Sequence, residues 1–136
     1  MVYCHLYYRK EATRLAIHES GEDYLEQVLI QQRKNGFARS VDIAAAMNFT
    51  KPSVSIAMKN LRERGYITMD AESHIQLTEA GLAIAEKIDY RHRKLVACLM
   101  HLGVSEDIAR EDACKMEHDI SEDTFHALCR VLDWEK

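Results

Sequence analysis

The apolar positions along the chain change period several times, and each change marks a new element. Between Ile17 and Lys34, the residues Tyr24, Leu25, Val28 and Leu29 recur at the intervals of one helical face, and Asn35-Gly36 closes that helix. Ser40 then caps a short helix running to Met47, with Ile43, Ala44 and Met47 on one side. Asn48-Phe49-Thr50 forms a tight turn. Thr50 is a good N-cap for the next helix, and Pro52 falls in its first turn, where a missing N–H costs nothing. That helix runs to about Arg64 and ends at Gly65. The period then drops to two: in GYITMDAESHIQLTEAG, Tyr66, Ile67 and Met69 precede a polar turn, and Ile75 and Leu77 follow it. From Thr78 the helical period returns and persists to Leu102, with Gly103 as the stop. Its stripe reads Ile84, Ile88, His92, Leu95, Leu99, Leu102, so an imidazole stands where an apolar side chain belongs. Ser105 and Ser121 cap two further helices, through His118 and about Leu132, and each opens with two acids that suit the helix dipole.

Helix, turn, helix and then a two-stranded hairpin make a winged helix-turn-helix. The spacing therefore predicts a mainly α chain: an N-terminal extension over 1–16, a winged helix-turn-helix over 17–80, and a helical unit over 81–136. Within the second helix of the motif, Val54, Met58 and Leu61 form an inward stripe. Ser55, Lys59 and Arg62 form an outward one, with Lys51 and Ser53 exposed at the N-terminal end. An apolar back and a face of hydroxyls and cations is what a helix in a major groove needs. The set expected to face nucleic acid is Arg39, Ser40, Thr50, Lys51, Pro52, Ser53, Ser55, Lys59 and Arg62. Helix-turn-helix proteins bind paired half-sites as dimers, so the expected partners are a double-stranded DNA operator and a second copy of the chain.

Charge and composition narrow this further. Residues 1–35 and 36–82 each carry five basic and five acidic groups, whereas residues 83–136 carry eight basic and twelve acidic groups, which accounts for the whole net charge of −4. An acidic C-terminal half is a poor partner for nucleic acid and a plausible one for cations, although such a surface is most often merely solvated. No apolar run is long enough for a membrane span and no secretory signal opens the chain, which points to the cytoplasm. The four cysteines, Cys4, Cys98, Cys114 and Cys129, are widely spaced and read as reduced thiols. With five glycines there is no phosphate loop and no nucleophile elbow, which argues against an enzyme.

One short stretch carries chemistry. In CKMEH, Cys114, Glu117 and His118 stand at i, i+3 and i+4 and leave one helical face. Taken alone, these are a buried thiol, a solvated acid and a structural histidine. His92 in its apolar stripe and Asp23 with Glu26 on one face of the first helix change the balance. If all six converge, three carboxylates and two imidazoles meet near a thiol, a cluster that a divalent cation relieves.

The segments SGEDYLEQVL, NGFARSVDIAAAMNFTKPSVSIAMKNLRERGYI, LTEAGLAIAEKI, YRHRKLV and DACKMEHDIS, in this order, resemble the diphtheria toxin repressor and manganese transport regulator family over about residues 19–132. The resemblance implies a dimeric, metal-activated winged-helix repressor of manganese or iron uptake genes. It implies metal ligation by Asp23, Glu26, His92, Cys114, Glu117 and His118, with one or two Mn²⁺ or Fe²⁺ ions per chain. Asp23 and Glu26 match first-helix ligands of the manganese type, while Cys114 falls where the iron type has a cysteine, so the set is a hybrid. Val96 and Arg110 occupy the places of the iron type's ancillary ligands, so that second site is expected to be absent, as is an SH3-like domain. Two alternatives stand beside this: a winged-helix regulator that ignores metal and answers to a small ligand or to oxidation of Cys114, and a thiol or metal hydrolase.

Overall fold

A computed structural model describes residues 16–133. The order is α1 (Ala16–Asn35), α2 (Ser40–Met47), α3 (Lys51–Glu63), β1 (Ile67–Met69), β2 (Ile75–Leu77), α4 (Glu79–His101), α5 (Glu106–Asp119) and α6 (Glu122–Asp133). Cys4 and His5, and all of the N-terminal extension except Ala16, lie outside the described residues.

Local chemistry sets most of the boundaries. The Thr50 hydroxyl accepts a hydrogen bond from the Ser53 amide at 3.3 Å, and the Thr78 hydroxyl accepts one from the Gly81 amide at 3.2 Å. Gly65 follows α3 with a φ of 83°, a conformation that is strained for a residue with a Cβ. Asn48 makes the turn between α2 and α3 in the left-handed region, which its short amide side chain tolerates. Two caps differ from expectation. Ser40 is the first residue of α2; Arg39 holds the cap position in an extended conformation, with no side-chain bond to the helix. Ser105 caps α5 by position, but its hydroxyl makes no capping bond. Both helices start without that bond because their first turns are exposed and water can serve the open amides.

The strands pair antiparallel, with Ile67 opposite Leu77 and Met69 opposite Ile75. Ala38 adds a bridge to Ile75 through two hydrogen bonds of 2.7 and 2.8 Å, a third edge that the periodicity did not reveal. Gln32 on α1 accepts from the Leu77 amide at 2.9 Å and fastens the wing to the first helix.

Two clusters of buried apolar side chains hold these elements. The first gathers Leu25 and Val28 of α1, Ile43 of α2, Val54 and Met58 of α3, and Ile67 and Ile75 of the wing. The second joins Leu95 and Val96 of α4, Ala109 and Ala113 of α5, and Phe125 of α6. Burying each larger side chain contributes about 1.5–3 kcal/mol. Helix α4 runs from one cluster to the other, and His92 sits between its contributions to the two. Leu102, assigned to the buried stripe from its spacing, is 61% exposed, because the helix ends at His101 and the turn at Gly103 brings Val104, not Leu102, onto the second cluster. Arg91 ties α6 to α4: its guanidinium donates to the Ile120 carbonyl at 3.1 Å and lies over the Phe125 ring. Among the described residues, no helix is long and apolar enough to cross a membrane.

The wing meets the start of α4 so closely that Gly81 has no room for a side chain; a Cβ there would collide with the Tyr66 carbonyl oxygen. Alanine is the better helix former by up to about 1 kcal/mol, yet overpacking a rigid backbone contact costs about 1–3 kcal/mol. Gly81→Ala is therefore expected to lower stability in urea unfolding, against the direction of helix propensity.

Candidate metal centre and nucleic-acid face

Three helices bring the chemistry-bearing residues together. Asp23 and Glu26 leave α1 one turn apart, His92 leaves the middle of α4, and Cys114, Glu117 and His118 leave one face of α5. They form two groups that share Glu117: His92, Cys114 and Glu117, and Asp23, Glu117 and His118. Nδ1 of His92 lies 2.9 Å from Oε2 of Glu117 and 3.7 Å from the Cys114 sulfur. Nε2 of His118 lies 3.0 Å from Oδ1 of Asp23 and 3.3 Å from Oε1 of Glu117. Glu26 is buried but belongs to neither group, yet its carboxyl feels the charges of Glu117 and Asp23. One member went unforeseen: Glu22, whose Oε2 is 3.1 Å from Nδ1 of His118. Its place at i, i+4 to Glu26 was the available signal.

Burial and like charge dominate the electrostatics. Burial pushes the Asp23 carboxyl up, against the hydrogen bond and charge of His118. Burial, with Glu117, Asp23 and Asp89 nearby, pushes Glu26 up to about 8. Burial disfavours a charged His118, but hydrogen bonds to Asp23, Glu117 and Glu22 outweigh it and push the imidazole up to about 12. The cluster therefore draws in positive charge wherever it can.

One atom of the cluster is left over: Nε2 of His92 is buried without a hydrogen-bond partner. Oε1 of Glu117 faces only Nε2 of His118, at 3.3 Å, a nitrogen that also lies against Asp23. An unmet buried group costs about 1–3 kcal/mol. With the proton on Nδ1 facing Glu117, the Nε2 lone pair of His92 is available to an electrophile. Imidazole, carboxylate and sulfur around such atoms form a donor set that fits a first-row divalent metal. Cys114 departs from the expected reduced state: its sulfur is held in a disulfide, and only the reduced thiolate is a ligand.

The residues expected to face nucleic acid separate into two sets. Ser40, Ser55, Lys59 and Arg62 line one open groove of about 330 Å³ between the helix-turn-helix and the wing, together with Met69 and Ser73. Ser73, at a φ of 62° in the wing turn, was not foreseen, because its position depends on the hairpin geometry. Arg39, Thr50, Lys51, Pro52 and Ser53 are exposed but lie outside this groove, at the starts of α2 and α3.

The titrations predict a pH dependence. Glu26 holds its proton to about 8 in the fold against an ordinary 4.5, so its contribution to stability is complete below 4.5 and is lost as pH rises through 8. His118, raised from 6.5 to about 12, loses its contribution over that higher window. Both have the same sign. In chelator, the melting temperature is expected to fall between about pH 5 and pH 9, and Glu26→Gln to flatten the lower part of that slope.

Comparison with known proteins matches both halves of the chain to one family. Residues 16–75 match the family described as iron dependent repressor, N-terminal DNA binding domain. Residues 78–134 match iron dependent repressor, metal binding and dimerisation domain. The transcriptional regulator MntR of Escherichia coli O157:H7 is 39% identical over 107 residues, covering 79% of this chain and 69% of that protein. Among solved structures, the manganese regulator SloR superposes with a TM-score of 0.72 at 26% identity over 84% of this chain. IdeR of T. acidophilum superposes at 0.74 and 21% identity over 82%, a likeness of fold. The chain spans about half the length of these two structures, 54% and 53% respectively.

Proposed function

The chain belongs to the iron-dependent repressor family of metal-dependent transcriptional regulators, and on that premise we propose that it is a homodimeric repressor of manganese or iron uptake genes, governed by divalent metal at the cluster of Asp23, Glu26, His92, Cys114, Glu117 and His118. The observation that carries this is the pair of groups sharing Glu117, with the buried Nε2 of His92 left without a hydrogen-bond partner beside them. Two groups with one bridging carboxylate suit one or two ions per chain. Carboxylate and imidazole donors suit Mn²⁺ or Fe²⁺, and the oxygen-rich first helix favours Mn²⁺; a reduced Cys114 would move the preference towards Fe²⁺.

A bound divalent cation supplies the positive charge that lets these carboxylates stay ionised out of water. The residues do the rest. Asp23 and Glu26 project from the helix that backs the winged unit, proposed here as residues 17–80. His92, Cys114, Glu117 and His118 come from the helical unit of residues 81–136. Ligands drawn from both units to one place fix the angle between them, and so the position of α3 relative to the dimer axis. A dimer reads paired half-sites when its recognition helices are about 34 Å apart, and an effector shifts that equilibrium only by the difference in its affinity for the two arrangements. Exposed Met100, Leu102 and Ile108, at the end of α4 and on α5, support self-association through the helical unit.

His92→Ala and Glu117→Ala are each expected to weaken Mn²⁺-dependent DNA binding at least about 100-fold while leaving a folded dimer. Gel retardation with and without chelator, beside analytical ultracentrifugation, measures both. A variant that still responds to metal like the parent would remove that residue from the site. A second reading, control by oxidation at Cys114, is favoured by the disulfide at that sulfur. An anaerobic Co²⁺ titration of the reduced protein separates the two. Under the metal reading it saturates, and a sulfur-to-metal band lost in Cys114→Ser would mark the thiolate as a ligand. Under the oxidation reading, reductant changes DNA binding and chelator does not.

A further inference from the structure

Ile56 is 63% exposed, the most exposed of the large apolar side chains among the described residues, although it sits in the middle of α3. Val54, Met58 and Leu61 on the same helix are buried. At 3.6 residues per turn, Ile56 leaves the helix on nearly the opposite side from that stripe. It joins neither apolar cluster. The fold gains nothing from an isoleucine there, and water disfavours it.

The surrounding residues indicate what covers it. Ser53 one turn back and Lys59 and Asn60 one turn on are all exposed, with Lys51, Ser55 and Arg62 around them and the acid Glu63 two turns on. Three cations and two hydroxyls against that one acid match a polyanion rather than an apolar protein partner. Against the edges of base pairs, an aliphatic side chain has one good counterpart in the major groove, the C5-methyl group of thymine. Resting on the DNA-binding reading, we propose that Ile56 is a specificity-determining residue that reads thymine through this methyl group. Asn60, on the next turn of the same side, carries the amide that pairs with the N6 and N7 edge of adenine. The ridge thus selects a short A·T-containing step in each half-site.

The test starts from a random duplex library selected with the full reduced chain in Mn²⁺. The expected result is an A·T pair enriched at one symmetric position in each half-site. Replacing that thymine by deoxyuridine removes only the methyl and is expected to weaken binding roughly fourfold per half-site, or about fifteenfold for both. Ile56→Ala should bind the selected duplex in the same metal-dependent way but no longer distinguish thymine from uracil. Ile56→Lys should move the preference at that pair to guanine, whose O6 and N7 accept from an ammonium. Both substitutions are at an exposed position, and circular dichroism checks that each variant folds as the parent does. Equal binding of thymine and uracil at every position would overturn the assignment, as would discrimination that survives in Ile56→Ala. Failure to enrich any duplex would overturn the DNA-binding reading itself and this assignment with it.

Discussion

The imidazole of His118 lies between carboxylates from two helices, 3.0 Å from Asp23 and 3.1 Å from Glu22 on α1 and 3.3 Å from Glu117 on its own α5. Residues some 95 positions apart in sequence meet at this point. Carboxylates gathered out of water repel one another and lose hydration, so the arrangement persists only with positive charge inside it. A proton on the imidazole can provide that charge. Several ligands offered to a single divalent cation provide a stronger solution.

Helix α1 lies on both sides of this constraint. Its apolar face, Tyr24, Leu25, Val28 and Leu29, belongs to the core shared with α2, α3 and the wing. Its acidic face supplies Glu22, Asp23 and Glu26 to the cluster. Gln32, further along the same helix, holds the wing at Leu77. Whatever fixes the acidic face relative to α5 therefore fixes the frame that carries α3. Under the proposed function, this is a direct mechanical route from the metal cluster to the recognition helix. It needs no long relay of small side-chain shifts, because one rigid helix joins the two sites.

The surface proposed to face DNA divides similarly between what supports and what reads. Ser40, Ser55, Lys59 and Arg62 line a groove with the wing, suited to a phosphate backbone. The side of α3 farthest from its buried stripe presents Ile56 at its centre, with Pro52, Lys59, Asn60 and Glu63 around it. Backbone contacts position a helix on the duplex, and groups such as these are what base edges can distinguish.

By itself the sequence determined the elements, because caps, turn residues and hydrophobic period are local. Thr50, Pro52, Gly65, Thr78 and Gly103 stop and start helices within a few residues of themselves, and the inward stripe Val54, Met58 and Leu61 is buried as its spacing required. The anomaly of His92 in an apolar stripe was legible for the same reason. Tertiary structure alone decided what local pattern cannot encode. It decided that Glu117 is shared by two groups, that Glu22 joins them, that Ala38 bridges to Ile75, and that Ser40 and Ser73 line one groove across the wing. It also decided that Leu102 stays exposed. Each of these depends on the relative placement of segments distant in the chain, which is set by how the helices pack and not by the residues beside them.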